Sequence, residues 1–241
     1  MLGDQELSIL DQGARRMGVT LSERQLAQFS VFTDMLLEWN RKFNLTRITE
    51  PREIVLRHYL DSLTCLAAAE FKLDAKVIDV GTGAGFPGIP VEIARPDLEM
   101  TLLDSTRKRL IFLDFLVERL GLGGVRLFHA RAEEAGRDFE HREFYDVAMA
   151  RAVGKMNVLA EFCLPLVRPG GVMIAQKGPE ALREVGDAEG AVNLLGGELE
   201  KIARLRIPFS NITRNLPVIR KLAPTPSTYP RRPALIQKRP L

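Results

Sequence analysis

Cysteine is nearly absent from this chain: Cys65 and Cys163 stand alone among 241 residues, too few for a disulfide framework and not spaced as a metal clamp. Both read as buried thiols. Histidine is as scarce, with only His58, His129 and His141 and no close His/Cys set, so a metal site has little support. No apolar run approaches a membrane span, and the opening Met-Leu-Gly-Asp-Gln-Glu-Leu lacks a basic region ahead of an apolar core. A cytoplasmic chain without membrane association is expected. Neither a long linker nor an internal repeat is visible, and 46% hydrophobic content suits one sizeable α/β domain with a small accessory part.

Acidic residues are missing altogether from positions 201–241, which hold ten Lys/Arg against an overall net charge of only +3. The first 200 residues are therefore net acidic. The basic end is a candidate phosphate-binding surface, or a solvated strand pair and tail; charge alone leaves both open.

The most informative stretch present is Ala75 to Pro90, where the apolar strand Val77, Ile78, Val80 empties into a glycine-rich turn. Gly81, Gly83 and Gly85 let the backbone turn sharply and approach a ligand without Cβ interference. Gly83-x-Gly85-x-x-Gly88 also satisfies the dinucleotide pattern, so the strand side has to discriminate. Asp79 stands two residues before the first glycine, where a pyrophosphate would meet an unfavourable carboxylate. The ammonium of S-adenosylmethionine suits that position better than NAD does. Asp104, ending the next apolar run, is placed to accept from ribose hydroxyls of either cofactor.

Amphipathic spacing of Leu26, Phe29, Phe32, Leu36, Leu37 and Trp39 predicts a helix begun by Leu21-Ser22-Glu23, and a second helix is expected from Pro51 to about Glu70. Strands are expected near 76–80, 99–103, 125–129, 144–149 and 171–176, with helices near 87–94, 106–120, 156–165 and 179–188. Apolar runs around 199–207 and 216–222 have no clear helix between them. This order predicts a doubly wound, mostly parallel α/β sheet with an antiparallel edge. The expected organisation is a helical cap at 1–70, a cofactor-binding domain at 71–224 and a basic tail at 225–241.

Several longer motifs now converge: Trp39-Asn40-x-x-x-Asn44-Leu45-Thr46, Arg57-His58-x-x-Asp61-Ser62, Asp79 through Pro90, Asp104-Ser105-x-x-Lys108-Arg109-x-x-Phe112-Leu113, Arg131-Ala132-Glu133, Ala150-Arg151-Ala152 and Tyr229-Pro230-Arg231-Arg232. On these the chain resembles the RsmG (GidB) family of bacterial small-subunit ribosomal RNA methyltransferases, nearly end to end. The resemblance implies a seven-stranded, Rossmann-like methyltransferase domain and methyl transfer from S-adenosylmethionine to guanine N7 in the 530 loop of 16S rRNA. It implies 16S rRNA or the small ribosomal subunit as partner. It also implies cofactor contacts at Gly81, Phe86, Ala132, Glu133 and Arg151, which Asp104 joins on physical grounds.

Guanine N7 has an in-plane lone pair and no proton that must leave, so positioning carries most of the task. Arg or Lys can donate to O6, and a carboxylate can accept from N1–H and the exocyclic amine. The candidates are Arg151, Lys177, His58 and Asp61. For His58 and Asp61, three residues apart, a local structural pair is the competing reading; for Lys177 it is a surface lysine. After the fourth strand stands Met149-Ala-Arg-Ala152 instead of the Asn/Asp-Pro-Pro-aromatic cluster that holds an exocyclic amine, and Cys163 lies in an apolar helical pattern. Both absences favour a ring nitrogen as acceptor. A nicotinamide oxidoreductase and a non-catalytic ribosome-assembly binder are the alternatives.

Two features of the tail stay open. Ala234 and Ile236 stand where the family usually has Gly and Pro, and Arg231 and Arg232 either contact RNA or anchor the tail.

Overall fold

The computed structural model describes residues 2–151 and 154–241; Met1, Val153 and Ala152, the last residue of the Ala150-Arg151-Ala152 motif, lie outside the described residues. The chain opens with α1 (Asp4–Arg16) and α2 (Glu23–Phe43). Ser22 caps α2: its hydroxyl accepts from the Gln25 amide at 3.3 Å while the Gln25 side chain accepts from the Ser22 amide at 2.7 Å. That reciprocal pair satisfies two backbone donors the helix itself leaves unpaired. The helix stops at Asn44, which adopts the left-handed conformation at φ 49°. Its buried face carries Phe29, Phe32 and Leu36.

The helix expected from Pro51 to about Glu70 is a continuous run of α3 (Pro51–Ile54), a π-helical turn (Val55–Leu60) and α4 (Asp61–Ala68). The π turn buries Val55, Leu56, His58, Tyr59 and Leu60 together. Such wide turns recur at functional sites, and this one holds His58 over the sheet's carboxyl edge.

Alternation then follows the expected order: β1 (Lys76–Val80), α5 (Gly88–Ala94), β2 (Glu99–Asp104), α6 (Arg107–Leu120), β3 (Val125–His129), α7 (Ala132–Ala135), β4 (Tyr145–Arg151), α8 (Met156–Cys163), β5 (Val167–Gln176), α9 (Ala181–Asp187), α10 (Glu189–Leu194), β6 (Gly197–Arg206), β7 (Thr213–Lys221) and α11 (Pro233–Lys238). The seven strands lie in the order β3-β2-β1-β4-β5-β7-β6. Strands β1 to β5 pair in parallel, while β7 and β6 close the sheet antiparallel. Chain order reverses between β1 and β4, and the crevice outside the carboxyl ends at such a point is where open α/β sheets bind ligands.

Two apolar cores sandwich the sheet. One joins the N-terminal helices, α5 and α6 to one face, with Phe29, Phe32, Tyr59, Leu63, Phe112 and Met149 among its members. The other joins α8, α9, α10 and the tail to the opposite face through Leu159, Met173, Ile219 and Ile236. Gln25 and Gln28 lock α2 down by donating to the carbonyls of Ile93 at 2.6 Å and Leu120 at 2.8 Å. Both cysteines are buried and free, and burial pushes both thiols up. No helix among the described residues is long and apolar enough to cross a membrane.

Short elements such as α7, Ala132–Ala135, depart from the expected pattern. The helix expected over 156–165 ends at Cys163 and gives way to a 3₁₀ turn, Leu164–Leu166, at Pro165. Helix α10 is a single short piece, and α11 forms within the tail. One of the tail's two departures, Ile236, takes part in α11: its amide donates to the Arg232 carbonyl at 3.2 Å, and its side chain is fully buried. A proline there would forfeit the hydrogen bond.

Glu92 on α5 is buried with Oε2 unpartnered. Burial, with Asp97 nearby, raises its pKa from 4.5 to about 8. A carboxyl that keeps its proton longer in the fold than in the open chain makes stability fall as pH rises across that interval. Glu92→Gln is therefore expected to unfold at higher denaturant than the parent at pH 8, by more than about 1 kcal/mol, with the gap closing near pH 5. Equal midpoints at pH 8 would contradict this.

Candidate cofactor and acceptor site

A cavity of about 470 Å³ opens at the carboxyl ends of β1, β2 and β4. Its floor is the glycine turn. The amides of Gly81 and Thr82 both donate to the Leu103 carbonyl, at 2.8 and 3.0 Å, which folds the turn back over β2. Gly81 and Gly83 adopt φ of 73° and 63°, values that side-chain-bearing residues rarely take. Both line the cavity. Gly85 does not; a Cβ there would stand 2.7 Å from Ile89, so this glycine serves the packing of turn on helix.

Asp79 lies beneath the turn and is absent from the cavity lining. Its Oδ2 accepts from the Thr82 hydroxyl at 2.7 Å and from the Gly88 amide at 2.8 Å, while Oδ1 is buried without a partner. Burial raises its pKa to about 6 against those two hydrogen bonds. In the structure Asp79 shapes the cradle from below, and the ammonium contact expected from sequence order is not made by a lining group.

Asp104, at the end of β2, does line the cavity and is 3% exposed. Its Oδ2 accepts from the Gly83 amide at 2.9 Å and from Arg109 at 3.2 Å; Oδ1 accepts from the Thr106 amide at 2.7 Å. One carboxylate thus fixes the turn and faces the pocket. Asp104→Ala is expected to weaken cofactor binding by about 1–3 kcal/mol, read by calorimetry, with Asp104→Asn recovering part of it. Unchanged affinity in the alanine variant would remove Asp104 from the site.

Beyond β3, Ala132 and Glu133 form the wall, with Arg131 and Gln237 beside them. Glu133 is buried and its Oε1 has no partner. A buried carboxylate oxygen without a donor is costly, and here it belongs to a cavity wall, so a ligand bearing N–H or O–H groups would satisfy it.

The opposite wall is a stack. Phe86 lies parallel to His58, with ring centroids 4.3 Å apart, and to Phe32 at 5.2 Å. The Arg151 guanidinium sits 4.9 Å from the Phe86 centroid. Arg151 reaches from the end of β4 to Asp61 Oδ2 at 3.4 Å, to the Arg57 carbonyl at 3.2 Å and to His58 Nδ1 at 3.4 Å. A guanidinium only donates, so His58 Nδ1 accepts and its proton resides on Nε2. Burial, reinforced by Arg151, lowers the His58 pKa to about 3. The imidazole is neutral at physiological pH.

His58 Nε2 then donates to Thr46 Oγ1 at 2.9 Å, and the Ile48 amide donates to the same oxygen at 3.1 Å. With both acceptor positions taken, the Thr46 hydroxyl proton is left to donate, and Thr46 lines the cavity. Thr46 closes the Trp39 to Thr46 motif; its donor role needs the fold to bring His58 to it. Gln237 has no such signal in the chain, because only the buried Ile236 places it.

Of the four candidate guanine-orienting residues, the structure brings Arg151 and His58 to the cavity and not the others. Asp61, 1% exposed, stands behind them and is shared by two arginines, accepting from Arg214 at 2.8 and 3.2 Å as well as from Arg151. It has no free face for a base. Lys177 pairs with Glu184 at 2.7 Å and donates to the Gly154 carbonyl, away from the cavity. Arg231 forks onto the buried carboxylate of Glu161 at 2.6 to 3.1 Å, which decides for the anchoring reading of that residue. Among the described residues no three His, Cys, Asp or Glu side chains gather as a metal site.

A parallel sheet closed by an antiparallel strand pair, with a glycine cradle and two acidic strand-end residues at the switch point, defines the Rossmann-like methyltransferase class. In fold the chain is similar to a precorrin-6y C5,15-methyltransferase from Geobacter metallireducens, at 15% identity and a TM-score of 0.51, over 66% of this chain and 87% of that one. The family model described as rRNA small subunit methyltransferase G matches residues 25–213. Proteins named ribosomal RNA small subunit methyltransferase G are 47% identical in Desulforamulus reducens, over 96% of this chain and 97% of the relative, and 46% identical in Alkaliphilus oremlandii, over 97% and 98%. The chain belongs to the rRNA small subunit methyltransferase G family. Nothing in this kinship supports a nicotinamide oxidoreductase or a non-catalytic binder.

Proposed function

We propose that this protein transfers a methyl group from S-adenosylmethionine to N7 of a guanine in small-subunit ribosomal RNA, the 530 loop of 16S rRNA being the target the family resemblance implies. The observation that carries the reading is the cavity itself: a glycine cradle at the switch point, walled by the unpartnered carboxylate of Glu133 on one side and by Arg151 over Phe86 on the other. The donor set fits this cofactor. Glu133 and Asp104 accept from its amine and hydroxyl groups, and the Gly81 to Gly83 backbone permits close approach. When bound, S-adenosylmethionine supplies an electrophilic methyl on a positively charged sulfur.

The chain's own residues orient and exclude water. Arg151 lines the cavity and carries more donors than Asp61, Arg57 and His58 use, so a remaining N–H can hold guanine O6 while leaving N7 bare. Thr46 adds a hydroxyl donor beside it. Neutral His58 neither repels the cationic sulfur nor competes for a proton, which matches an acceptor nitrogen that has none to lose. Asp61 acts at one remove, holding Arg151 in place.

The test is methyl mapping on 16S rRNA incubated with protein and isotopically labelled cofactor. Label should reside on one guanine, and borohydride with aniline should cleave the chain there, since borohydride reduces the cationic ring of an N7-methylated base and aniline cleaves at the sugar from which the reduced base is lost. Label resistant to that cleavage, or spread over many sites, would refute the assignment. Binding of NAD with affinity comparable to S-adenosylmethionine would refute the cofactor.

A further inference from the structure

Part of the cationic charge in residues 201–241 is committed within the fold, while Lys201, Arg204, Arg232, Lys238 and Arg239 are exposed. Arg214 is held by Asp61, Arg220 by Glu200 and Arg231 by Glu161, while Lys221 is fully buried against the Leu164 carbonyl. A second set, exposed and among the described residues free of ion pairs and side-chain hydrogen bonds, stands beside the cavity: Arg41 and Lys42 in the last turn of α2, Arg47 just beyond it, and Arg107 and Lys108 opening α6.

Between these cationic turns lies an aromatic patch. Trp39, the chain's one tryptophan, stacks on Phe43 at 5.4 Å and tilts against Phe115 at 5.2 Å. Phe115 is 51% exposed and its neighbour Ile111 43%. The patch is continuous with the cavity mouth, because α2 runs out into Leu45 and Thr46 and the first turn of α6 carries Arg109, all three lining the cavity.

Folding alone does not explain this arrangement. The first turn of α6 contains Arg107, Lys108 and Arg109 and no acid, although the helix macrodipole favours anions there. Asp114 and Glu118 lie about two and three turns further along. Free cations flanking exposed rings at the rim of a base-sized pocket are complementary to a strand of phosphates with unstacked bases.

We infer that this face, formed by the end of α2, residues 44–47 and the start of α6, is where the RNA substrate docks, with phosphates on Arg41, Lys42, Arg47, Arg107 and Lys108 and a base against Phe115 and Trp39. The inference rests on the rRNA reading above and moves the RNA footprint away from the basic C-terminal strands.

Trp39 supplies its own probe. Titration of the full-length protein with 16S rRNA, in the presence of S-adenosylhomocysteine, should quench its emission. The triple change Lys42→Ala, Arg107→Ala, Lys108→Ala should lower the slope of log affinity against log salt by about two units, on the order of 0.7 for each phosphate no longer neutralised. Phe115→Ala should weaken RNA binding about five- to hundredfold, while S-adenosylhomocysteine affinity by calorimetry stays within about twofold of the parent. A slope unchanged by the triple variant but lowered by Lys201→Ala with Arg204→Ala, or tryptophan emission unmoved at saturating RNA, would overturn this face and leave the methyl-transfer reading standing. A parent protein that binds no RNA would overturn both.

Discussion

Replacing Arg151 with alanine is expected to slow single-turnover methyl transfer by about a hundred- to thousandfold while the fold persists. Arg151 touches Asp61, His58 and the face of Phe86 at once. On the proposed function its loss removes the donor to the acceptor base, together with the charge beside His58 Nδ1. The fold survives because Asp61 retains Arg214 through two hydrogen bonds, so no unpaired carboxylate is left buried. Arg151→Lys should not restore the rate, since a single ammonium cannot span the three partners that a planar guanidinium reaches. His58 supplies an independent readout: with the nearby positive charge gone, its pKa should rise from about 3, visible in the pH dependence of its imidazole resonances. Full turnover in Arg151→Ala would place the base-orienting donor elsewhere, with Thr46 next in line.

How much of this site was legible in the chain follows from how local each signal is. The glycine turn, Asp104 and Glu133 lie next to strand ends that the apolar runs already mark, so their convergence follows from topology. Arg151 was legible for the same reason. The fates of Asp61 and Lys177 were not, because each depends on a partner outside its own motif: Arg214 on β7 for one, Glu184 on α9 for the other. A residue that looks free in sequence is committed in space. Part of the basic C-terminal end behaves in the same way, Arg214, Arg220 and Arg231 each having an acidic partner that composition does not show. The π turn at Val55–Leu60 was hidden too, being a one-residue widening within an otherwise regular helical pattern.

The commitment of the C-terminal arginines has its largest consequence at Arg231, whose loss should cost stability and not RNA affinity. Arg231 is 18% exposed and donates through its backbone amide and its guanidinium to Glu161, which is fully buried on α8. It also donates to the Arg239 carbonyl, tying both ends of α11 to the body. Arg231→Ala would leave the Glu161 carboxylate with one backbone donor and no counter-charge. Removing one partner of a buried ion pair costs roughly 3–5 kcal/mol, which for a chain of this size lowers the melting temperature on the order of 10 °C. The double change Arg231→Ala with Glu161→Gln should recover much of that, because the neutral amide no longer demands a cation, and denaturant titration of the single and double variants measures the coupling directly. Cofactor affinity should fall with the tail, since α11 also places Gln237 in the cavity wall, whereas the salt dependence of RNA binding should not move. A variant that melts with the parent but binds RNA with a shallower salt slope would return Arg231 to the RNA footprint.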